Sequence, residues 1–167
     1  MATDIDNALA NLLDTHQPLS VLVIGTEIPA AITAYRADHP ECRLCHVTPP
    51  DLPQGLDTPG HYDFGIIINT LEHMDKAHAG RLIARLRDLQ TSRFYTVIPM
   101  GDQWREQKTV WEPSDLIAYG MGLAGQYTDD GKPVHVYKFD INDYKATPDW
   151  LNPDHWANPE LWDKYRW

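Results

Sequence analysis

A chain of 167 residues, 43% hydrophobic and 23% charged, has the material for one domain with its own core. Its formal charge of −10 opposes nucleic acid and anionic membranes as partners, and Arg81, Arg85, Arg87 and Arg93 read as a solvated helix face rather than a phosphate-binding patch. The opening Met1-Ala2-Thr3-Asp4-Ile5-Asp6 has neither the basic flank nor the apolar core of a signal peptide, and no apolar run reaches membrane-helix length, so a cytoplasmic location is expected.

The elements alternate along the chain. Ile5, Leu9, Leu12 and Leu13 recur at helical spacing behind Asp4, a capping residue. Val21 to Ile24 is a short apolar run ending at Gly25, and reads as a buried strand. Pro29 to Asp38 follows as a short helix, then Cys42 to Val47 as a second strand. Pro49, Pro50, Pro53, Gly55, Pro59 and Gly60 crowd the next segment and leave no clear room for a helix and a further strand before Tyr62. Tyr62 to Ile68 is the next strand, and it runs into Asn69-Thr70-Leu71-Glu72-His73. Asp75 starts a helix whose stripe is Ala79, Leu82, Ile83, Leu86 and Leu89. Phe94 to Ile98 is a strand, Ser114 caps a helix through Ala118, and Gly120, Gly122 and Gly125 break it. Gln126 to Thr128 and Val134 to Phe139 flank Asp129-Asp130-Gly131-Lys132, a hairpin signal.

Two of these segments carry a family resemblance. A strand ending in a glycine loop, then a Tyr-Asp-led strand running into Leu-Glu-His, resembles the first and fourth strands of class I S-adenosylmethionine (SAM) dependent methyltransferases. The likeness covers roughly residues 19 to 140. It implies an α/β fold in three layers, a mostly parallel sheet of Rossmann-like type, and a terminal antiparallel hairpin. Residues 1–142 would form this domain, with 143–167 as a tail. It also implies SAM as the cofactor, held around Gly25, Thr26, Glu27, Asn69 and Thr70. The family's Gly-x-Gly-x-Gly falls on Gly25, Glu27 and Pro29, so only Gly25 matches. The acidic residue that accepts the ribose hydroxyls is replaced by His46, Val47 and Thr48 at the end of the second strand.

Glu72 and His73, where a strand meets a helix, are the candidate catalytic residues, since an imidazole is a natural general base. Loop hydrogen bonding is the competing explanation for both. In some quinone-type O-methyltransferases the Leu-Glu-His segment helps hold a divalent cation with an earlier glutamate, a position held here by Asn69, so no metal is expected. Cys42-Arg43-Leu44-Cys45-His46 matches a haem-attachment spacing, but in a strand its cysteines face opposite ways. Met100, Trp104 and Trp111 lie in the region that covers the substrate in such methyltransferases, and would line an apolar pocket or receive the tail.

The tail repeats one pattern: Thr147-Pro148-Asp149-Trp150, Asn152-Pro153-Asp154-His155-Trp156 and Asn158-Pro159-Glu160-Leu161-Trp162. Each is a helix-start signal with a tryptophan, and the expectation is that the tail packs back on the domain; docking on a partner is the alternative. Two functions remain open. One is a methyltransferase-like domain with a degenerate SAM site that works as a binding or interaction module for an unidentified small molecule or protein. The other is an active SAM-dependent small-molecule methyltransferase with an altered cofactor pose. Glu27, Pro29 and the missing acidic strand end favour the first.

Overall fold

The computed structural model describes residues 2–52, 56 and 60–144. The tail tryptophans Trp150, Trp156, Trp162 and Trp167, and with them the expectation of a docked tail, lie outside the described residues. The elements are α1 (Ala2–His16), β1 (Ser20–Ile24), α2 (Ala30–Asp38), β2 (Arg43–Val47), β3 (Phe64–Ile68), α3 (Lys76–Arg85), β4 (Arg93–Pro99), α4 (Pro113–Ala118), β5 (Gly122–Asp129), β6 (Lys132–Asp140) and α5 (Ile141–Tyr144). Short 3₁₀ turns occupy Pro49–Asp51 and Leu71–His73, and a π turn occupies Leu86–Gln90. None of the described helices is long and apolar enough to cross a membrane.

One six-stranded sheet runs in the order β2-β1-β3-β4-β6-β5. The first four strands are parallel, and β6 and β5 close the edge antiparallel. Among the described residues no strand lies beyond β2, in keeping with the proline-rich 48–63 connection. Period-two alternation divides the sheet between two cores. Val21, Val23, Phe64 and Ile66 face α1 and α2, meeting Leu9, Leu13 and Ile32. Leu22, Ile24 and Ile67 face α3 and α4, meeting Leu82, Ile83 and Leu116. Both strand faces are covered, which is why β1 and β3 read as unbroken apolar runs. Cys42 joins the first core and Cys45 packs on the second, so the two thiols lie on opposite faces of the sheet.

Several boundaries differ from the sequence reading. α1 starts at Ala2, which puts Asp4 in the first turn rather than at the cap. The ladder of β3 starts at Phe64, and Tyr62 makes only a bridge to Thr91. Asp75 does cap α3, accepting the His78 N–H at 2.9 Å. Leu89 is not on the buried stripe but is 67% exposed. The π turn widens the helix, with Thr91 N–H reaching Leu86 O at 2.9 Å, and this shift brings Gln90 inward in place of Leu89. α4 begins with Pro113, and Asp115 Oδ2 accepts the Glu112 N–H at 2.9 Å, so Glu112 and Asp115 shape this end instead of Ser114. Gly122 and Gly125 are not helix breakers; they sit in β5, whose register shifts between Leu123 and Gly125. The hairpin turn is two-residue with positive φ at Asp130 (48°) and Gly131 (75°), the geometry that an Asp-Gly pair supplies.

Gly25 follows β1 directly. A Cβ at this position would stand 2.6 Å from Ile68 O and 2.9 Å from Ile68 Cγ2. The obstacle includes backbone, so it cannot swing aside. Gly25→Ala is expected to lower stability by about 1–3 kcal/mol, the range for overpacking a close contact, measured by urea denaturation. A change within about 0.5 kcal/mol, the ordinary surface range, would show that the strand ends separate freely.

Candidate functional site

The carboxyl ends of β1, β3 and β4 open onto two adjoining cavities that share Asn69. The first, about 330 Å³, is walled by Asn69, Glu72, His73, Val97, Trp104 and Lys132 among others. The second, about 380 Å³, is walled by Ile5 and Asp6 of α1, Glu27 to Ala30, and Ile68. A crevice outside the carboxyl ends of parallel strands is the usual ligand position in an open α/β sheet.

Asn69 ends β3 with φ of 48°, a left-handed conformation that asparagine tolerates better than most residues. That reversal turns the chain into the Leu71–His73 turn. Thr70 is buried; its hydroxyl donates to Ile68 O at 2.9 Å and its N–H to Glu72 Oε2 at 3.0 Å. Glu72 is 5% exposed yet forms part of the cavity wall. Burial pushes its carboxyl above the ordinary carboxylate range, against the hydrogen bonds and the nearby His73 that favour the charged form.

The loop after β4 is tied to this turn. Glu72 O accepts the N–H groups of Lys108 (2.8 Å) and Thr109 (3.1 Å), Met74 O accepts the Thr109 hydroxyl (2.6 Å), and Leu71 O accepts the Trp111 indole N–H (3.2 Å). His73 Nδ1 lies 3.1 Å from Glu106 O. A carbonyl can only accept, so Nδ1 carries a proton, and in the uncharged ring Nε2 is then the nitrogen with the lone pair. That Nε2 is 3.9 Å from Glu72 Oε1, and the ring is half exposed. An acid shielded from water beside an imidazole open to the cavity can hold or move a proton at the cavity wall.

The sequence-derived residues separate into three groups. Glu72, His73, Asn69 and Trp104 share the first cavity. Glu27 borders the second, with Thr26 exposed beside it. Gly25 and Thr70 are buried between strand ends. Met100 and Trp111 are 4% and 1% exposed and belong to the core under the loop, because a bridge between them and the indole hydrogen bond to Leu71 draw both inward. Of the expected aromatic pocket, Trp104 is therefore the member on the wall, with Lys132 Nζ 4.9 Å from its ring centre. Lys132 and Asp6 had no local motif. β6 runs antiparallel from the hairpin and places Val134 opposite Pro99, so the start of β6 returns to the crevice. Among the described residues no three His, Cys, Asp or Glu side chains converge as a metal site.

The raised titration of Glu72 has a signed consequence. The folded state binds a proton that the unfolded chain releases near pH 4.5, so the Glu72 contribution is lost as pH rises from there through the folded-state value. Glu72→Gln removes this loss. The stability of Glu72→Gln relative to wild type is expected to increase across that interval and then level off, measured as urea midpoints at a series of pH values. A pH-independent difference would contradict the buried, proton-holding carboxyl.

Solved structures similar to this chain include several methyltransferases. The chain is similar to magnesium protoporphyrin IX methyltransferase from Synechocystis PCC 6803 with bound SAH (TM-score 0.54, 14% identity, 80% of each chain covered). It is also similar to the methyltransferase domain of bacterial CtHen1-C (0.53, 13% identity, 82% of this chain and 96% of that one). A third is the Burkholderia thailandensis 1,6-didemethyltoxoflavin-N1-methyltransferase with 1,6-didemethyltoxoflavin and S-adenosylhomocysteine bound (0.51, 15% identity, 82% and 76%). At such identities the likeness establishes a class I methyltransferase-like fold. No curated protein matches the sequence. A family model matches residues 3–167, and the chain belongs to that family, a family of unknown function, DUF6231.

Proposed function

We propose that this chain is a methyltransferase-like binding module that does not hold SAM in the ordinary way and takes a small polar molecule in the cavity at Glu72 and His73. The observation that carries the reading is the packing of the glycine loop's one glycine against the end of β3. That glycine spends its missing side chain on Ile68 O, at 2.6 Å for a hypothetical Cβ, rather than on an approaching ligand. Its carbonyl accepts from His46 Nε2 at 2.8 Å, so the residue at the ribose position turns a donor inward and offers no carboxylate. Glu27 adds a negative charge to the loop, and Pro29 caps α2 without an N–H to donate. These residues do not fit SAM.

Two buried polar atoms support a ligand in the neighbouring cavity. Trp104 Nε1 and Gln107 Oε1 have no hydrogen-bond partner among the described residues, and both side chains line the wall. A buried donor and acceptor left unpaired each cost about 1–3 kcal/mol, which a polar ligand would relieve. A second reading, an active methyltransferase with an altered cofactor pose, draws on His73 Nε2 as a base at the cavity wall beside Glu72.

Calorimetric titration of the full chain with SAM and with S-adenosylhomocysteine separates the two. No saturable heat is expected at micromolar ligand. A dissociation constant near or below 1 μM, about −8 kcal/mol, would overturn the module reading and promote the enzyme.

A further inference from the structure

We propose that the C-terminal segment, residues 145–167, docks one of its acid-tryptophan turns into an apolar groove along α3, on the side of the domain away from α1 and α2. The groove, about 360 Å³, is walled by Leu52, Leu56, Met74 and Leu82, with Arg81 and Arg85 at its side. It lies between α3 and the proline-rich connection that follows β2, where the sheet carries no further strand among the described residues.

Four observations select the occupant. The first is position: Ile141 N–H donates to Ser92 O at 3.0 Å and the Ile141 side chain packs on the same core, so the chain leaves the described domain beside the start of β4, just past the π turn that follows α3. Reach follows from this. α3 from Lys76 to Arg85 is about 14 Å long at 1.5 Å per residue, and the six residues from Tyr144 to Trp150 already extend to about 20 Å. Chemistry is the third: each turn pairs an acid with an indole, as in Asp149 with Trp150, Asp154 with Trp156 and Glu160 with Trp162, while the groove pairs arginine with an apolar floor. An indole fits the floor and stacks with guanidinium, and the acid answers the charge. Finally, the family match continues through residue 167, so the segment is part of the family's unit.

The test uses the full chain. In a Cys45→Ser background, His78→Cys on the groove wall is combined in turn with Leu151→Cys, Ala157→Cys and Asp163→Cys, each next to an indole that is kept, and mild oxidation is followed by non-reducing electrophoresis and mass spectrometry. At least one pair is expected to form an intramolecular disulfide whose yield does not depend on protein concentration. Absence of any such bond, or bonds only between molecules, overturns docking in cis; the latter would assign the groove to a second copy. Arg81→Glu serves as an independent readout in the otherwise native chain. Acrylamide quenching of tryptophan emission is expected to rise about 1.5-fold as an indole is released, while Arg36→Glu on the exposed face of α2 leaves it unchanged. An unchanged Arg81→Glu variant, or an equal rise in Arg36→Glu, contradicts the proposal. SAM titration reports on the crevice alone, so the two proposals fail separately.

Discussion

Gly25 is the point at which three strands are held together. Its N–H donates to Val47 O at 3.1 Å, its carbonyl accepts from His46 at 2.8 Å, and its α-carbon lies against the last residue of β3. The first two contacts fix the end of β2 to β1, and the third fixes β3 to β1. The ends of all three strands are thereby held together at the head of the crevice. Thr70 continues the clamp by donating to Ile68 O, and the turn it begins carries Glu72 and His73 into the neighbouring cavity. One packing arrangement thus leaves the cavity walled by Glu27 to Ala30 on one side and the cavity at Glu72 on the other, with Asn69 shared between them.

The opening on that second side is held by hydrogen bonds together with the core packing of Leu71 and Trp111. Backbone donors from Lys108 and Thr109 converge on Glu72 O, and the Trp111 indole reaches Leu71 O. Trp111 is fully buried, so the loop is anchored at its far end while Trp104 and Gln107 remain on the wall. One end of the loop is thus anchored, while Trp104 Nε1 and Gln107 Oε1 at the other lack a partner among the described residues, which is what the proposed ligand would supply. The mixed charge of the wall, Glu72 and Glu106 against Arg105 and Lys132, suits a polar molecule more than a hydrocarbon.

Most of the fold was legible because burial on both faces leaves an unmistakable mark. Val21 to Ile24 and Phe64 to Ile68 are apolar on every position since helices cover both sides, and Asp130-Gly131 announces a turn that only positive φ can make. What failed to read was local geometry set by tertiary contact. Leu89 fits a helical stripe perfectly well in isolation, and only the π turn that satisfies Thr91 rotates it out. Gly122 and Gly125 looked like breakers because β5 is an edge strand, exposed over most of its length and therefore without an apolar signature. The site was legible where it lay on β3, and Asn69, Glu72 and His73 do share a cavity. Lys132 and Asp6 were invisible because topology alone brings them there. Met100 and Trp111 illustrate the opposite error: aromatic and sulfur side chains after a strand suit a pocket and a core equally, and the Leu71 carbonyl decides for the core.

The central claim is that Gly25 is already engaged by protein contacts at its N–H, carbonyl and α-carbon. Nitrogen-proton correlation NMR of the imidazoles in the full chain tests it most directly. The account predicts that His46 is the Nε2–H tautomer, with a hydrogen-bonded proton whose signal does not move when millimolar S-adenosylhomocysteine is added. A His46 signal of the other tautomer, or one that shifts with saturation on adding the nucleoside, would mean that the loop opens to a cofactor and would contradict the account.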